Sequence, residues 1–273
     1  LKPQEGMGRA FQQPMRRQPT AYLVEIRKQI EKMLELGVIR ISRCHHYSQI
    51  HLAKRSDGGL RFCIDYKMLN AITEVVYTPL PDIQTILQFL NGKLFFAKMD
   101  LSAGFHQIEI DEDSKKYTAF RGPDHIYEFN RCPFGLLNAS SHFQYVIQHD
   151  VLAGLINRIC FCYIDDIIVF GTAEDFLDNL EKVFEKLREH NIILKKSKCV
   201  FGVTKLKYLG HTISGEGMEI GEDNQEVLDK MVKPETVTQL RSLLGMYSYF
   251  RAFLGSQYAN TVSCLYDMCK GPK

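Results

Sequence analysis

Asp165 and Asp166 stand side by side in the run Ile159-Cys-Phe-Cys-Tyr-Ile-Asp-Asp-Ile-Ile-Val-Phe-Gly171, which is otherwise apolar, β-branched and aromatic. A buried carboxylate is costly unless it is paired, protonated or bound to a cation. Two adjacent ones raise each other's pKa. A divalent cation removes that cost, and a hard ion such as magnesium prefers carboxylate oxygen. The run therefore reads as a β-hairpin presenting acids to a metal at its tip; the competing reading is an ordinary Asp-Asp turn between two strands. A third acid, Asp100, ends a second apolar stretch, Leu94–Met99, and is followed by the small, turn-prone Ser102-Ala-Gly104 and then Phe105, His106 and Gln107. If both strands belong to one sheet, the three carboxylates face one another. That is the set two magnesium ions about 4 Å apart need for in-line phosphoryl transfer. Taken alone, Asp100 suits a helix N-cap equally well.

The elements that must position these acids alternate without a regular βαβ repeat. Residues 1–18 lack periodicity and suggest an extended arm. Thr20–Leu36 has Leu23, Ile26, Ile30, Met33 and Leu34 on one helical face, with Gly37 as its stop. Short strands are expected at Val38–Ile41 and Ile50–Ala53, and a hairpin turn at Asp57-Gly-Gly59 leads into Leu60–Ile64. A helix over Pro81–Leu90 precedes the Leu94–Met99 strand. Tyr117–Phe120 and Ile126–Phe129 pair across Gly122-Pro-Asp124. Helices are expected at Ala139–Ala153 and Thr172–His190, a hairpin at Lys205–Ile213, and helices at Val227–Met231 and Val237–Phe253. The last opens on a Thr236…Gln239 capping box. Mixed strands and helices favour an α+β fold with an antiparallel sheet over a doubly wound one.

With 273 residues and 45 % hydrophobic content, the chain can build a large core or several subdomains. A net charge of +2 rules out a polycation, so contact with a phosphate backbone would fall to local clusters: Met15-Arg-Arg17, Lys54-Arg55, Lys115-Lys116 and Lys195–Lys198. Each is also an ordinary solvated face. The eight cysteines form no paired CxxC framework, the pattern of reduced thiols in an intracellular protein. Cys44-His45-His46 with His51 lacks the second ligand pair a zinc site needs. No stretch approaches a membrane span and no signal peptide is visible, so no membrane partner is expected.

Tyr163-Ile-Asp-Asp166, together with Lys98-Met-Asp100-Leu-Ser-Ala-Gly-Phe-His-Gln-Ile108, resembles the polymerase core of a reverse transcriptase, nearest in kind to those of gypsy-type LTR retrotransposons, relatives of retroviruses. Further blocks match in order: Arg61–Asn70 resembles the fingers motif, Tyr77–Pro81 the entry to the palm, Pro133–Gln144 the template-contacting turn and helix, Tyr208–Ser214 the primer grip, and Leu240–Gly245 with Tyr249–Arg251 the helix after it. The match runs from about Thr20 onward. It implies a right-hand polymerase with fingers (1–74 and 108–138), palm (75–107 and 139–213) and a short, partial thumb (214–273). Family members usually carry a ribonuclease H domain beyond this region; none is expected within the chain, which reads as a piece of a polyprotein.

What the resemblance implies for activity is RNA-directed DNA synthesis on an RNA or DNA template from a DNA/RNA primer duplex, using deoxynucleoside triphosphates. Asp100, Asp165 and Asp166 would hold two Mg2+ ions, with Mn2+ a substitute, and the Leu101 carbonyl would be an extra ligand. Arg55 (or Lys54 in its place) and Arg61 would contact the nucleotide's phosphates, where an arginine's planar fork binds at two points. Phe105 would be the steric gate against a ribose 2′-hydroxyl, with Phe134 beside the nucleotide. Lys198, or Lys195 or Lys196, would stand near the leaving group. Tyr163, Asn138, Gln144, Leu209, Gly210 and His211 would face primer or template. Histidines 106, 142 and 211 read as packing residues. The expected setting is intracellular, including the interior of a virus-like particle, with a homodimer or other polyprotein domains as partners. Glu109, the Cys44–Gln49 segment without Trp or Pro, and Arg251-Ala-Phe-Leu-Gly255 depart from the family pattern and weaken the expected grip on nucleic acid. Two other readings stand beside this one: a catalytically silent domesticated fold that binds nucleic acid or protein, and a metal-dependent nuclease or phosphatase.

Overall fold

The computed structural model describes residues 18–54, 58–221, 224–226, 232–253, 255 and 257–270. Arg55, most of the expected N-terminal arm, Asp57 of the expected hairpin turn and the helix expected over Val227–Met231 lie outside these residues. The described chain resolves into two compact units. The first holds the described residues within 1–81, 99–169 and 178–199; the second holds those within 82–98, 170–177 and 200–273.

In the first unit, helix α1 (Thr20–Glu35) ends at Gly37, whose φ of 65° lets its N–H bond Leu34 O while Val38 N–H reaches Met33 O. Glycine takes this left-handed position without a Cβ penalty. Strands β1 (Ile39–Ile41), β2 (Ser48–Lys54), β3 (Leu60–Asp65), β5 (Phe120–Arg121) and β6 (Ile126–Phe129) form a sheet of order β1-β6-β5-β2-β3. Ile26 and Ile30 of α1 pack into one core with Ile39, Ile50, Ile64, Phe120 and Phe129, the outcome of the helical and alternating patterns in the sequence. The expected strand at Tyr117–Phe120 is instead a 3-10 turn over Lys116–Thr118, with β5 beginning at Phe120. Thr118 explains this: its hydroxyl bonds Lys115 O and accepts from Phe129 N–H, a local pairing that competes with a ladder. Short helices α2 (Lys67–Ile72) and α4 (Glu112–Lys115) were not expected.

A four-stranded sheet of order β7-β8-β4-β9 combines β4 (Phe95–Asp100), β7 (Cys160–Tyr163), β8 (Asp166–Gly171) and β9 (Val200–Val203). β7 and β8 are antiparallel, with Tyr163 opposite Asp166. Helix α5 (Ala139–Tyr145) passes into a wider i→i+5 turn over Val146–Val151, so the single α-helix expected there changes pitch midway.

In the second unit, α3 (Ile83–Leu90) starts two residues later than expected because Asp82 is its N-cap, accepting from Thr85 N–H at 2.9 Å. Likewise α6 (Phe176–Glu189), which runs on into the first unit, begins at Phe176 and not Thr172. Asp175 accepts from Thr172 N–H at 2.6 Å and from its hydroxyl at 3.0 Å, a side-chain turn that pre-empts the helix. Strands β10 (Lys205–Tyr208), β11 (His211–Ser214) and β12 (Gly217–Ile220) form an antiparallel meander. Helix α7 (Val237–Tyr249) opens on the Thr236–Gln239 capping box and stops at Tyr249, with a separate 3-10 turn over Arg251–Phe253. It packs Leu240 and Leu244 against Val262 of α8 (Tyr258–Met268), a helix not foreseen. No helix among the described residues is long and apolar enough to cross a membrane.

Candidate active site

The hairpin that carries the acids is two residues wide. Tyr163 and Asp166 pair, leaving Ile164 and Asp165 as the turn. Ile164 has φ 53° and Asp165 is not in the left-handed region, the pattern of a type II′ turn, in which the first central residue is normally glycine. A β-branched residue there costs about 1–3 kcal/mol. The strain is offset by buried hydrogen bonds. Gln144, with no exposed surface, accepts from Ile164 N–H at 2.6 Å and donates to Cys162 O at 2.9 Å. Gln144 had been expected to face nucleic acid; its amide is turned into the hairpin instead.

Asp100 is brought alongside by a different device. Leu101 forms an antiparallel bridge with Leu194, made by Ser102 N–H to Ile193 O at 2.9 Å and Lys195 N–H to Asp100 O at 2.8 Å. The flanking residues make the bridge, so the Leu101 carbonyl is not consumed by it. Gln107 reinforces the stitch, donating to Ser102 O and Ile193 O and accepting from Ile193 N–H. The 3-10 turn at Lys196–Lys198 then delivers Lys198 to Asp100, with Nζ to Oδ2 at 3.0 Å.

Asp165 feels the charges of both Asp100 and Asp166. Burial, then the charges of Asp100 and Asp166, push the Asp165 carboxyl above the usual carboxylate range, and Lys198 opposes the shift. Asp165 Oδ1 is buried without a hydrogen-bond partner. The space around it is kept open by Gly104, where a Cβ would lie 2.6 Å from that oxygen and 3.1 Å from the Phe143 ring. A buried, unpaired carboxylate oxygen among two further acids, all hard donors, fits a divalent cation. Among the described residues no three His, Cys, Asp or Glu side chains are gathered closely enough to hold a metal ion together. Asp100 is paired with Lys198 instead.

Around the acids, Phe105 is buried, its ring 4.8 Å from Phe134 and 5.0 Å from Phe143 between centroids, while Phe134 is half exposed. Arg61 is exposed on β3, opposite Ala53, with Lys54 one pair further along. Asn138 holds the segment before α3: its Oδ1 accepts from Val76 N–H and its Nδ2 donates to Glu74 O. Asn70 does the same for the turn after Pro133, bonding Gly135 O and Leu137 N–H. Glu109 is paired with Arg131 at 3.1 Å. His106 bonds Cys132 O and packs on Phe129 and Phe134, as expected of a packing residue. All eight cysteines are free; burial raises the Cys160 thiol to about 12 and that of Cys132 to about 11, which makes both inert as nucleophiles at neutral pH.

In the second unit, Leu209 and Gly210 form the β10–β11 turn with φ of 48° and 77°, a type I′ pattern. Both turn carbonyls are held: Leu209 O accepts from the Tyr249 hydroxyl and Gly210 O from Asn224 Nδ2, each at 2.7 Å. His211 is fully buried, stacked on Tyr249 and Phe253, with neither ring nitrogen hydrogen-bonded.

Sequence reasoning missed Asn70, Gly104, Gln107 and the inward role of Gln144. Their work is to bond backbone or to leave space, which residue type alone does not signal; only Gly104 had a cue, its place between an acid and a large ring.

The profile of the reverse transcriptase (RNA-dependent DNA polymerase) family matches residues 52–213. The Retrovirus-related Pol polyprotein from transposon opus of Drosophila melanogaster is 34% identical over 253 residues, covering 90% of this chain and 25% of the relative. That from transposon gypsy of the same fly is 32% identical, covering 90% and 24%. The chain thus spans about a quarter of the length of these relatives. A foamy viral protease-reverse transcriptase solved in complex with double-stranded DNA superposes with a TM-score of 0.83 at 25% identity, covering 95% of this chain and 46% of that one. Its counterpart in complex with RNA/DNA hybrid gives 0.77 at 24% identity, covering 96% and 35%. Reverse transcriptases generally use divalent metal ions. The matched span, the acid-bearing hairpin beside Asp100 and these likenesses together establish that the chain belongs to the reverse transcriptase family, of the kind found in gypsy-type LTR retrotransposon Pol polyproteins.

Proposed function

We propose that this chain is an RNA-directed DNA polymerase that extends a primer on an RNA or DNA template, joining deoxynucleoside triphosphates to a 3′-hydroxyl with release of pyrophosphate. The observation that carries the reading is the buried Asp165 carboxylate oxygen that no protein group satisfies, on an acid that feels the charges of Asp100 and Asp166. The division into fingers (1–74, 108–138), palm (75–107, 139–213) and partial thumb (214–273) belongs to the same proposal.

Divalent cations held by Asp100, the Leu101 carbonyl, Asp165 and Asp166 would supply two effects, a more acidic 3′-hydroxyl and neutralisation of the triphosphate; two Mg2+ ions suit the donor set, and Mn2+ is a substitute. The chain's own groups do the rest. Asp166, paired with Tyr163 across the hairpin, orients the site beside the primer terminus that Tyr163 abuts. Arg61, with Arg55 or Lys54, binds the triphosphate from the fingers, where bidentate geometry fixes its direction. Phe105, backed by Phe134 and Phe143, leaves no room for a 2′-hydroxyl. Lys198 offers its ammonium to the pyrophosphate as negative charge develops there. The Leu209–Gly210 turn grips the primer, and His211 anchors it.

Primer extension on RNA and DNA templates tests the reading. The unaltered chain extends with Mg2+; Asp165→Asn lowers the rate by a factor of about 10³ or more while primer–template binding changes by less than about threefold, since the acid acts on cations and not on the duplex. Extension by Asp165→Asn at the normal rate would remove the site assignment. No extension by the unaltered chain, with duplex binding intact, would favour a silent binding module.

A further inference from the structure

We propose that Gln144 and Gln148 form a positioning pair that holds the Ile164–Asp165 turn in a conformation its own residues disfavour, and thereby fixes where the Asp165 carboxylate stands. The proposal rests on reading Asp165 as a metal-holding acid.

The turn carries its strain at Ile164, whose φ of 53° is a position for glycine, and a β-branched side chain is among the least suited to it. Three restraints converge on the two residues around it. Gln144 Oε1 accepts from Ile164 N–H at 2.6 Å, Gln144 Nε2 donates to Cys162 O at 2.9 Å, and the Cys162 thiol donates to Ile164 O at 3.2 Å. The N–H of the first central residue in such a turn has no partner within the hairpin, so Gln144 supplies the one it lacks.

A primary amide is nearly symmetric in shape, and a flipped Gln144 would set Nε2 against the Ile164 N–H and Oε1 against Cys162 O, two repulsive contacts. The Ile164 and Cys162 contacts therefore set the orientation of Gln144, and Gln148 adds a third bond that agrees with it: its Oε1 accepts from Gln144 Nε2 at 3.1 Å. Gln148 lies in the widened turn over Val146–Val151, one helical turn beyond Gln144. Gln144 has no exposed surface, so water does not compete for these bonds. Freed of the pair, Ile164 would relax toward negative φ. The peptide planes on either side would rotate, and Asp165, the next residue, would turn away from Asp100.

The test reads amide hydrogen exchange at Ile164 beside steady-state primer extension, in the unaltered chain, Gln144→Leu, Gln148→Leu and Gln144→Leu with Ile164→Gly. Gln144→Leu is expected to speed exchange at Ile164 by about tenfold or more, with a smaller rise in Gln148→Leu. The rate constant kcat falls in the same order, while primer–template affinity stays within about twofold. Adding Ile164→Gly to Gln144→Leu recovers kcat by about tenfold, because glycine holds a positive φ unaided. A protein that merely lost packing would not be rescued by a glycine. Unchanged Ile164 exchange in both single variants, or no recovery in the double variant, overturns the proposal. Should Gln144→Leu fail to fold, Gln148→Leu decides, since both bonds from Gln144 to the hairpin backbone remain available to it: faster exchange with lower kcat supports the pair and no change in either refutes it. If the unaltered chain does not extend primers, the polymerase reading fails and the exchange measurements still judge the pair.

Discussion

Lys198 Nζ stands 3.0 Å from Asp100 Oδ2, although 98 residues separate them. The Leu101–Leu194 bridge and the Gln107 side chain produce this pairing by running the segment before Lys198 along the segment after Asp100. The lysine is half exposed and the aspartate mostly buried, so the pair is worth about 1 kcal/mol or less to folding. Its larger effect is on the acids, since a cation taking Asp100 Oδ2 must displace the ammonium that already holds it. Lys198→Gln is expected to bind Mn2+ about three- to tenfold more tightly in the absence of nucleic acid, as read by electron paramagnetic resonance of free Mn2+. The same variant extends primers more slowly, because the leaving pyrophosphate loses its counter-charge. Weaker Mn2+ binding by Lys198→Gln would contradict this role.

Gly104 is a glycine for reasons of space. A Cβ there would lie 2.6 Å from Asp165 Oδ1 and 3.1 Å from the buried Phe143 ring, so both must shift. Gly104→Ala should therefore cost about 1–3 kcal/mol of stability, as overpacking does. Mn2+ binding should weaken by about tenfold, because the displaced oxygen is the one lacking a protein partner. A stability loss with unaltered metal binding would place the glycine in packing alone.

Phe105 is buried between Phe134 and Phe143. Phe105→Ala opens a cavity and costs about 3–5 kcal/mol of stability. It should also narrow the preference for deoxynucleotides over ribonucleotides by about tenfold or more, measured as the ratio of kcat/KM for the two classes. Lost stability with selectivity unchanged would make Phe105 a core residue only.

His211 gives a pH dependence of defined sign. Burial alone holds its imidazole below the ordinary histidine range. The unfolded chain takes up the proton near pH 6.5 and the folded one does so only at lower pH. The penalty is therefore absent above about pH 6.5, and stability falls as the pH drops below it. His211→Phe keeps the stack on Tyr249 and Phe253 and removes two unpaired buried nitrogens. It should match or exceed the unaltered chain by about 1 kcal/mol at pH 7.5. Thermal melts at pH 7.5 and 5.5 should show its advantage growing toward the lower pH. An advantage independent of pH would mean the imidazole is not held neutral.

Much of this arrangement was legible in the sequence because it follows from periodicity and from charges placed where charges are costly. The acids stand at the ends of apolar strands, Gly37 follows a helical face, and Thr236 and Gln239 have the spacing of a capping box that forms as expected. What escaped has a common physical basis. The late start of α6 depends on whether Asp175 bonds Thr172 or leaves it to the helix, a contest of a few tenths of a kcal/mol that composition does not decide. Gln107, Asn70 and Gln144 act by bonding backbone from elsewhere in the chain, and nothing in an amide side chain announces which backbone it will meet. Ile164 at positive φ runs against its own propensity, and such conflicts concentrate at functional sites.

Anomalous diffraction from crystals soaked in Mn2+ decides whether Asp100 and Asp165 share a metal. Anomalous density is expected within coordination distance, about 2.0–2.3 Å, of both Asp100 and Asp165, with Lys198 displaced from Asp100. Peaks confined to one acid, or none near the hairpin at saturating Mn2+, would contradict a shared metal site.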